Sequence, residues 1–179
     1  MLSSPDQLVA EGQQARREHR LDDAKKHFAQ AAEAYRKAGD RAQLAQALKG
    51  LGQIERDQQH LDAALKRYRE AVAIYRTLDA PLKLAHTVRH VADILRDQER
   101  LVVAAASYEE ALKIYQEHPD TPPLDLANAI RGFALLKGAM GDTEEATFLW
   151  QGARNLYADA GVEPGVAESE AQIAFRMGR

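Results

Sequence analysis

Residues 61–75 read LDAALKRYREAVAIY, and the small and aromatic side chains Ala64, Tyr68, Ala71 and Tyr75 within them recur through the chain. Counterparts stand 40 residues earlier at Ala24, Phe28, Ala31 and Tyr35, and 40 residues later at Ala104, Tyr108, Ala111 and Tyr115. A fourth copy, Ala146, Trp150, Ala153 and Tyr157, lies 42 residues beyond the third. The extra two residues fall where the chain reads HPDTPP, at 118–123. Steps of three and four residues place each quartet on one helix face, and self-similarity at this period is the signature of a helical array.

Composition fits a folded chain. The sequence has 179 residues and 45% apolar content, enough to supply a core. Its 24 basic and 27 acidic residues leave a net charge of −3, which gives no overall electrostatic reason to expect nucleic acid or an anionic membrane as partner. Without cysteine it forms no disulfide, thiolate metal site or cysteine nucleophile, and it is compatible with a reducing compartment. MLSSPDQLVAEG has neither a basic start nor an apolar segment, and the longest apolar run is only 101–106. A cytoplasmic protein is expected.

Helix signals divide the chain in step with the repeat. Ser4 and Pro5 form a helix start, and Gly39 is placed to end the second helix. Pro81, Pro119, Pro122 and Pro123 mark joints between hairpins, because proline lacks the amide hydrogen that a helix interior needs. Hairpins are expected over about 4–39, 41–79, 81–119 and 123–161, within a single domain spanning 1–179. A last helix over about 163–178 carries Val166, Ala167, Ile173 and Ala174 on one face and Glu168, Glu170 and Gln172 elsewhere. That is the form of a terminal cap.

With Gly52 in a first helix and Ala64, Tyr68 and Ala71 in a second, repeated in register with Gly12, Ala92 and Ala134 at the small first-helix position, the chain resembles the tetratricopeptide repeat family. It is similar to the longer-repeat variety found in kinesin light chain-type arrays. The resemblance implies an all-α, right-handed α-solenoid of four hairpins plus a C-terminal capping helix; from the motifs considered below, no enzymatic activity and no cofactor are expected. Small residues let helices approach closely, and Phe28, Tyr68, Tyr108 and Trp150 are expected as core rather than as a stacking ladder for bases. Glu11, Glu55 and Lys137 depart from the pattern at apolar places, where looser packing is expected.

The resemblance also implies a concave surface lined by the first helices. Spacing assigns to it Gln46, Lys49, Gln53 and Arg56 in the second repeat, His86, Arg89, His90, Asp93 and Arg96 in the third, and Asn128, Arg131 and Leu135 in the fourth. Asp6, Val9, Gln13 and Arg16 are their first-repeat equivalents. Two rows of cations, Lys49 with Arg89 and Arg131 and Arg16 with Arg56 and Arg96, suit an acidic peptide or protein partner. The alternative is a solvated face whose arginines pair with Asp57, Asp93 and Asp97. Unpaired cations would favour an adaptor that grips a peptide; internal pairs would favour a structural or assembly module, alone or as a homo-oligomer.

His86 and His90 lie one helical turn apart, with Asp93 on the next turn, at a spacing that zinc accepts. Their expected neighbours Lys49, Gln53, Asn128 and Arg131 are poor zinc ligands, so no metal is expected. No HExxH, glycine-rich phosphate loop or GxSxG motif is present, which gives no basis for a nucleophile or an acid and base pair.

Overall fold

A computed structural model describes residues 3–178, all of them in helices and short connections with no strand among them. The helices are α1 (Pro5–Arg17), α2 (Leu21–Ala38), α3 (Arg41–Asp57), α4 (Leu61–Tyr75), α5 (Pro81–Asp97), α6 (Leu101–Glu117), α7 (Pro123–Ala139), α8 (Thr143–Asp159) and α9 (Glu163–Arg176). Four hairpins and a terminal helix are the fold class that the repeat predicts. Two compact units divide the chain, one up to Thr87 and one from Val88, with α5 passing from the first into the second.

Prolines open helices here. Pro5 and Pro123 each take the first helical position, where a missing amide hydrogen costs nothing. Ser4 caps α1 through a reciprocal arrangement, its hydroxyl accepting from the Gln7 amide while the Gln7 side chain accepts from the Ser4 amide.

Each hairpin turns in the same way. His19, Gln59, Glu99 and Gly141 adopt left-handed backbone with φ of 57°, 62°, 59° and 83°. The next amide then reaches back five residues: Arg20 to the Ala15 carbonyl, His60 to Glu55, Arg100 to Leu95 and Asp142 to Lys137, at 2.8 to 3.0 Å. This is the Schellman closure, which satisfies carbonyls left over at a helix end. Only the fourth turn uses glycine, and a side chain in this backbone region is sterically penalised. Gln59→Gly and Glu99→Gly are therefore each expected to raise stability by about 1 kcal/mol, read as a higher urea midpoint at unchanged slope.

In the first unit the aromatic residues seat on glycine. Phe28 lies between α1 and α3, and a methyl group added at Gly12 would come within 2.7 Å of its ring. One added at Gly50 would overlap the ring from the other side. Around it Ala15, Ala24, Ala31, Leu48, Leu51 and Ile54 form a closed core. Tyr68 rests in the same manner on Gly52.

The second unit repeats the device. Tyr108 sits against Gly132 and tilts toward Phe133, with ring centroids 5.7 Å apart. Ala127, Ala134, Trp150, Ala153 and Tyr157 form a buried cluster. Phe28, Tyr68, Tyr108 and Trp150 are all buried, as core aromatics.

The capping helix packs on α8. Val166 and Ile173 turn toward the Trp150 cluster, while Gly165 meets the Tyr157 ring so closely that a Cβ would clash. Glu168 reaches Arg131 on α7 and Glu170 reaches Arg154 on α8. The apolar pattern placed Ala167 on the packed face, but it is exposed, and Gly165 and Ser169 are buried instead. Ser169 enters the interior because its hydroxyl donates to the Gly165 carbonyl at 2.7 Å.

The three departures from the repeat pattern each find a partner on the second helix of their own hairpin. Glu11 lies 3.3 Å from His27, and Lys137 is 2.6 Å from Glu145 with its ammonium also over the Phe133 ring. Buried Glu55 stands between Lys25 at 3.5 Å and Arg67 at 3.7 Å.

Candidate functional site

The first unit contains a cleft of about 650 Å³ between the α1 and α3 stripes. Val9, Gln13 and Arg16 come from successive turns of α1, and Gln46, Lys49, Gln53 and Asp57 from α3. Phe28, Leu21 and Gly50 supply an apolar lining, and Arg17 and His19 complete the rim. The missing side chain at Gly50 leaves room for the Phe28 ring. Gln46 and Gln13 are exposed, and Lys49 and Gln53 are half-buried.

Amides and cations dominate the polar lining. Three glutamines, each able to donate and accept, line the cleft together with three fixed cations, Arg16, Arg17 and Lys49, and a single carboxylate, Asp57. Arg16 Nε donates to Asp57 Oδ2 at 2.7 Å across the two helices. Arg17 donates to Gln14 along its own helix at 2.8 Å. Arg56 lies outside the cleft lining and is half-buried on α3. His86, near the start of α5, is half-buried in the same unit.

The stripe of the second unit has another character. Arg89, His90 and Asp93 are buried, at 9%, 8% and 5% exposure, whereas their spacing assigns them to an open face. Arg89 donates to Asp93 Oδ2 at 3.0 Å, and the Tyr108 hydroxyl donates to Asp93 Oδ1 at 2.6 Å. Arg96 donates in turn to the Tyr108 oxygen at 3.1 Å and to Asp97 at 2.8 Å. Burial alone would raise the Asp93 pKa, but His90, Arg89 and Tyr108 overcome it and hold the carboxyl well below the usual carboxylate range. Burial and the Asp93 charge push the Tyr108 hydroxyl up.

Arg131 makes a two-pronged pair with Glu168, both contacts at 2.7 Å. Asn128 accepts from the Tyr157 hydroxyl at 2.7 Å, and Leu135 packs at the edge of the Trp150 cluster. Asp6 and Tyr35 make the same contact 29 residues apart in the first unit, at 2.5 Å. Burial and the Asp6 hydrogen bond push the Tyr35 pKa up to about 12.

Thus four arginines of the expected rows are paired internally: Arg16 with Asp57, Arg89 with Asp93, Arg96 with Asp97 and Arg131 with Glu168. Sequence spacing missed Arg17, His19 and Leu21 at the cleft and read Phe28 as core alone. His19 and Leu21 lie in and just after the turn that joins α1 to α2, where His19 takes left-handed backbone, and helix-face spacing does not reach them. Among the described residues no three His, Asp or Glu side chains are placed to hold a metal, and no helix is long and apolar enough to cross a membrane.

Residues 8–77, covering most of the first two hairpins, match the tetratricopeptide repeat family model. That segment holds the Ala64, Tyr68 and Ala71 pattern, and the chain as a whole has the fold of a helical-repeat protein. Three solved structures share the fold. BtubC (BKLC) from P. vanneervenii is 20% identical, with a TM-score of 0.79 over 89% of this chain and 67% of that one. The apo form of RapI is 12% identical, with a TM-score of 0.80 over 96% of this chain and 47% of that one. Aspartyl phosphate phosphatase F from Bacillus subtilis is 13% identical, with a TM-score of 0.87 over 98% of this chain and 46% of that one. The chain thus spans about half the length of the last two, and at these identities the likeness is one of fold. No curated protein matches the sequence.

Proposed function

We propose that this chain is a protein-interaction module whose first unit takes an extended acidic peptide segment in the cleft between α1 and α3. The observation that carries the reading is the cleft itself, in which an apolar lining of Phe28, Val9 and Leu21 lies beside a row of glutamines. An extended peptide leaves its backbone amides and carbonyls unpaired, and glutamine side chains serve both. Three cations against one carboxylate favour acidic side chains on the ligand. In this reading Gln46, Lys49 and Gln53 contact the peptide, whereas Arg89, His90, Asp93 and Arg96 maintain the packing of the second unit.

Selection of displayed random dodecapeptides on the intact protein tests this. Enriched sequences should be rich in Asp and Glu, and binding should weaken as salt rises. Gln53→Ala and Lys49→Glu should each lower affinity at least about ten-fold, the loss expected on removing a charge-assisted hydrogen bond. No enrichment, or binding indifferent to both substitutions, would overturn the reading.

A second reading, an assembly module working through outer surfaces, draws on the internally paired arginines and on Phe148 and Phe175, which are 73% and 81% exposed in the second unit. It predicts self-association that Phe148→Ser with Phe175→Ser abolishes, seen by sedimentation.

A further inference from the structure

We propose that Asp57 is a built-in competitor in the first unit's cleft, occupying Arg16 in place of a peptide carboxylate, so that ligand binding there proceeds by carboxylate exchange. The inference rests on the peptide-cleft reading given above.

Arg16 and Asp57 come from different repeats, 41 residues apart, and both line the cleft. Their side chains are 41% and 36% exposed, so an incoming carboxylate can reach the pair from solvent. Asp57 engages only Nε of the guanidinium. The two Nη groups of Arg16 donate to no described residue, which leaves most of its fork for a ligand. The contrast with Arg131 is direct, since Glu168 fills both prongs of that guanidinium at 2.7 Å each.

A ligand carboxylate binding the fork of Arg16 through two parallel hydrogen bonds would replace the single contact with a stronger one. The displaced pair is weak to begin with, because exposed ion pairs contribute little after side-chain ordering and screening. Asp57 stays tethered at the end of α3, however, on the lining of the cleft. Once displaced it remains beside the incoming carboxylate as an unfavourable like charge. It thereby sets a threshold that favours ligands able to use Arg16, Arg17 and Lys49 together over ligands carrying one isolated carboxylate.

Two fluorescein-labelled octapeptides, acetylated and amidated at their ends, test the exchange: one alternates glutamate with alanine, the other glutamine with alanine. Binding is followed by anisotropy at low ionic strength with the full chain. Asp57→Asn should tighten binding of the glutamate peptide between about two-fold and five-fold, the range an exposed pair allows. The glutamine peptide should be unaffected. In an Arg16→Gln background the Asp57→Asn gain should shrink clearly, since the part that comes from freeing Arg16 is lost and only the like-charge repulsion remains. An undiminished gain would mean that Asp57 acts without Arg16 and would overturn the exchange. Both side chains lie at the surface, and unchanged helical circular dichroism verifies folding of each variant.

If the glutamate peptide binds the parent chain and Asp57→Asn leaves that affinity unchanged or lowers it, the exchange is wrong while the cleft reading stands. If neither peptide binds the parent or any variant, both fall together.

Discussion

Replacing Asp93 with alanine is expected to destabilise the second unit by about 3–5 kcal/mol, the cost of leaving a buried guanidinium without its counter-charge. Arg89 is only 9% exposed. Tyr108, fully buried, would lose the acceptor of its 2.6 Å hydrogen bond at the same time. Loss of hydrogen-exchange protection in α6 and α7, with a lower denaturant midpoint, measures the effect. The double variant Asp93→Leu with Arg89→Met should recover much of the loss, because a well-packed apolar pair replaces buried charges at little cost. If the single variant matches the parent, the network has no structural weight.

The same carboxylate gives a pH dependence. Its folded pKa lies below the unfolded value of about 3.9, so its contribution is complete above that value. As the pH falls below about 4 the unfolded chain takes up the proton more readily than the folded one, and the stabilisation is lost progressively. The second unit should thus lose stability on acidification in that window, and Asp93→Leu with Arg89→Met should flatten the loss.

Truncation after Ala160 is the second large effect. It removes Val162, Val166 and Ile173 from the Trp150 cluster, uncovers the Tyr157 ring that Gly165 faces, and deletes the partner of Arg131. At about 0.8 kcal/mol per buried methylene, loss of these half-buried side chains amounts to roughly 3 kcal/mol. The exposed apolar face should then promote association that rises with concentration. Calorimetry and sedimentation of the truncated and full chains measure the two effects. A shortened chain that stays monomeric and melts like the parent would show that α9 contributes nothing to the stability of α7 and α8.

The repeat was legible in the sequence because the alternation of small and aromatic residues is a local constraint. Close helix approach demands alanine or glycine at fixed steps, and Ala64, Tyr68, Ala71 and Tyr75 meet it whatever else surrounds them. The number and kind of the helices followed from the same periodicity, with proline and glycine at the ends.

What the periodicity left undecided was which polar side chains stay in water. Residues three, four and seven apart share a helix face, but the depth of that face depends on how neighbouring helices cover it. Lys49 and Arg89 hold the same register position, and only packing makes the first half-buried at a cleft and the second buried against Asp93. The same holds for Glu11, Glu55 and Lys137, which break the apolar pattern along the chain and are matched by His27, Lys25 with Arg67, and Glu145. Such pairs join residues 8 to 30 positions apart in sequence, beyond the reach of any local rule. Sequence therefore determined the helical repeat and the aromatic core, whose causes are local. Tertiary structure decided which charged side chains are paired and the place of the cleft, because an ion pair forms only where folding brings its two members together.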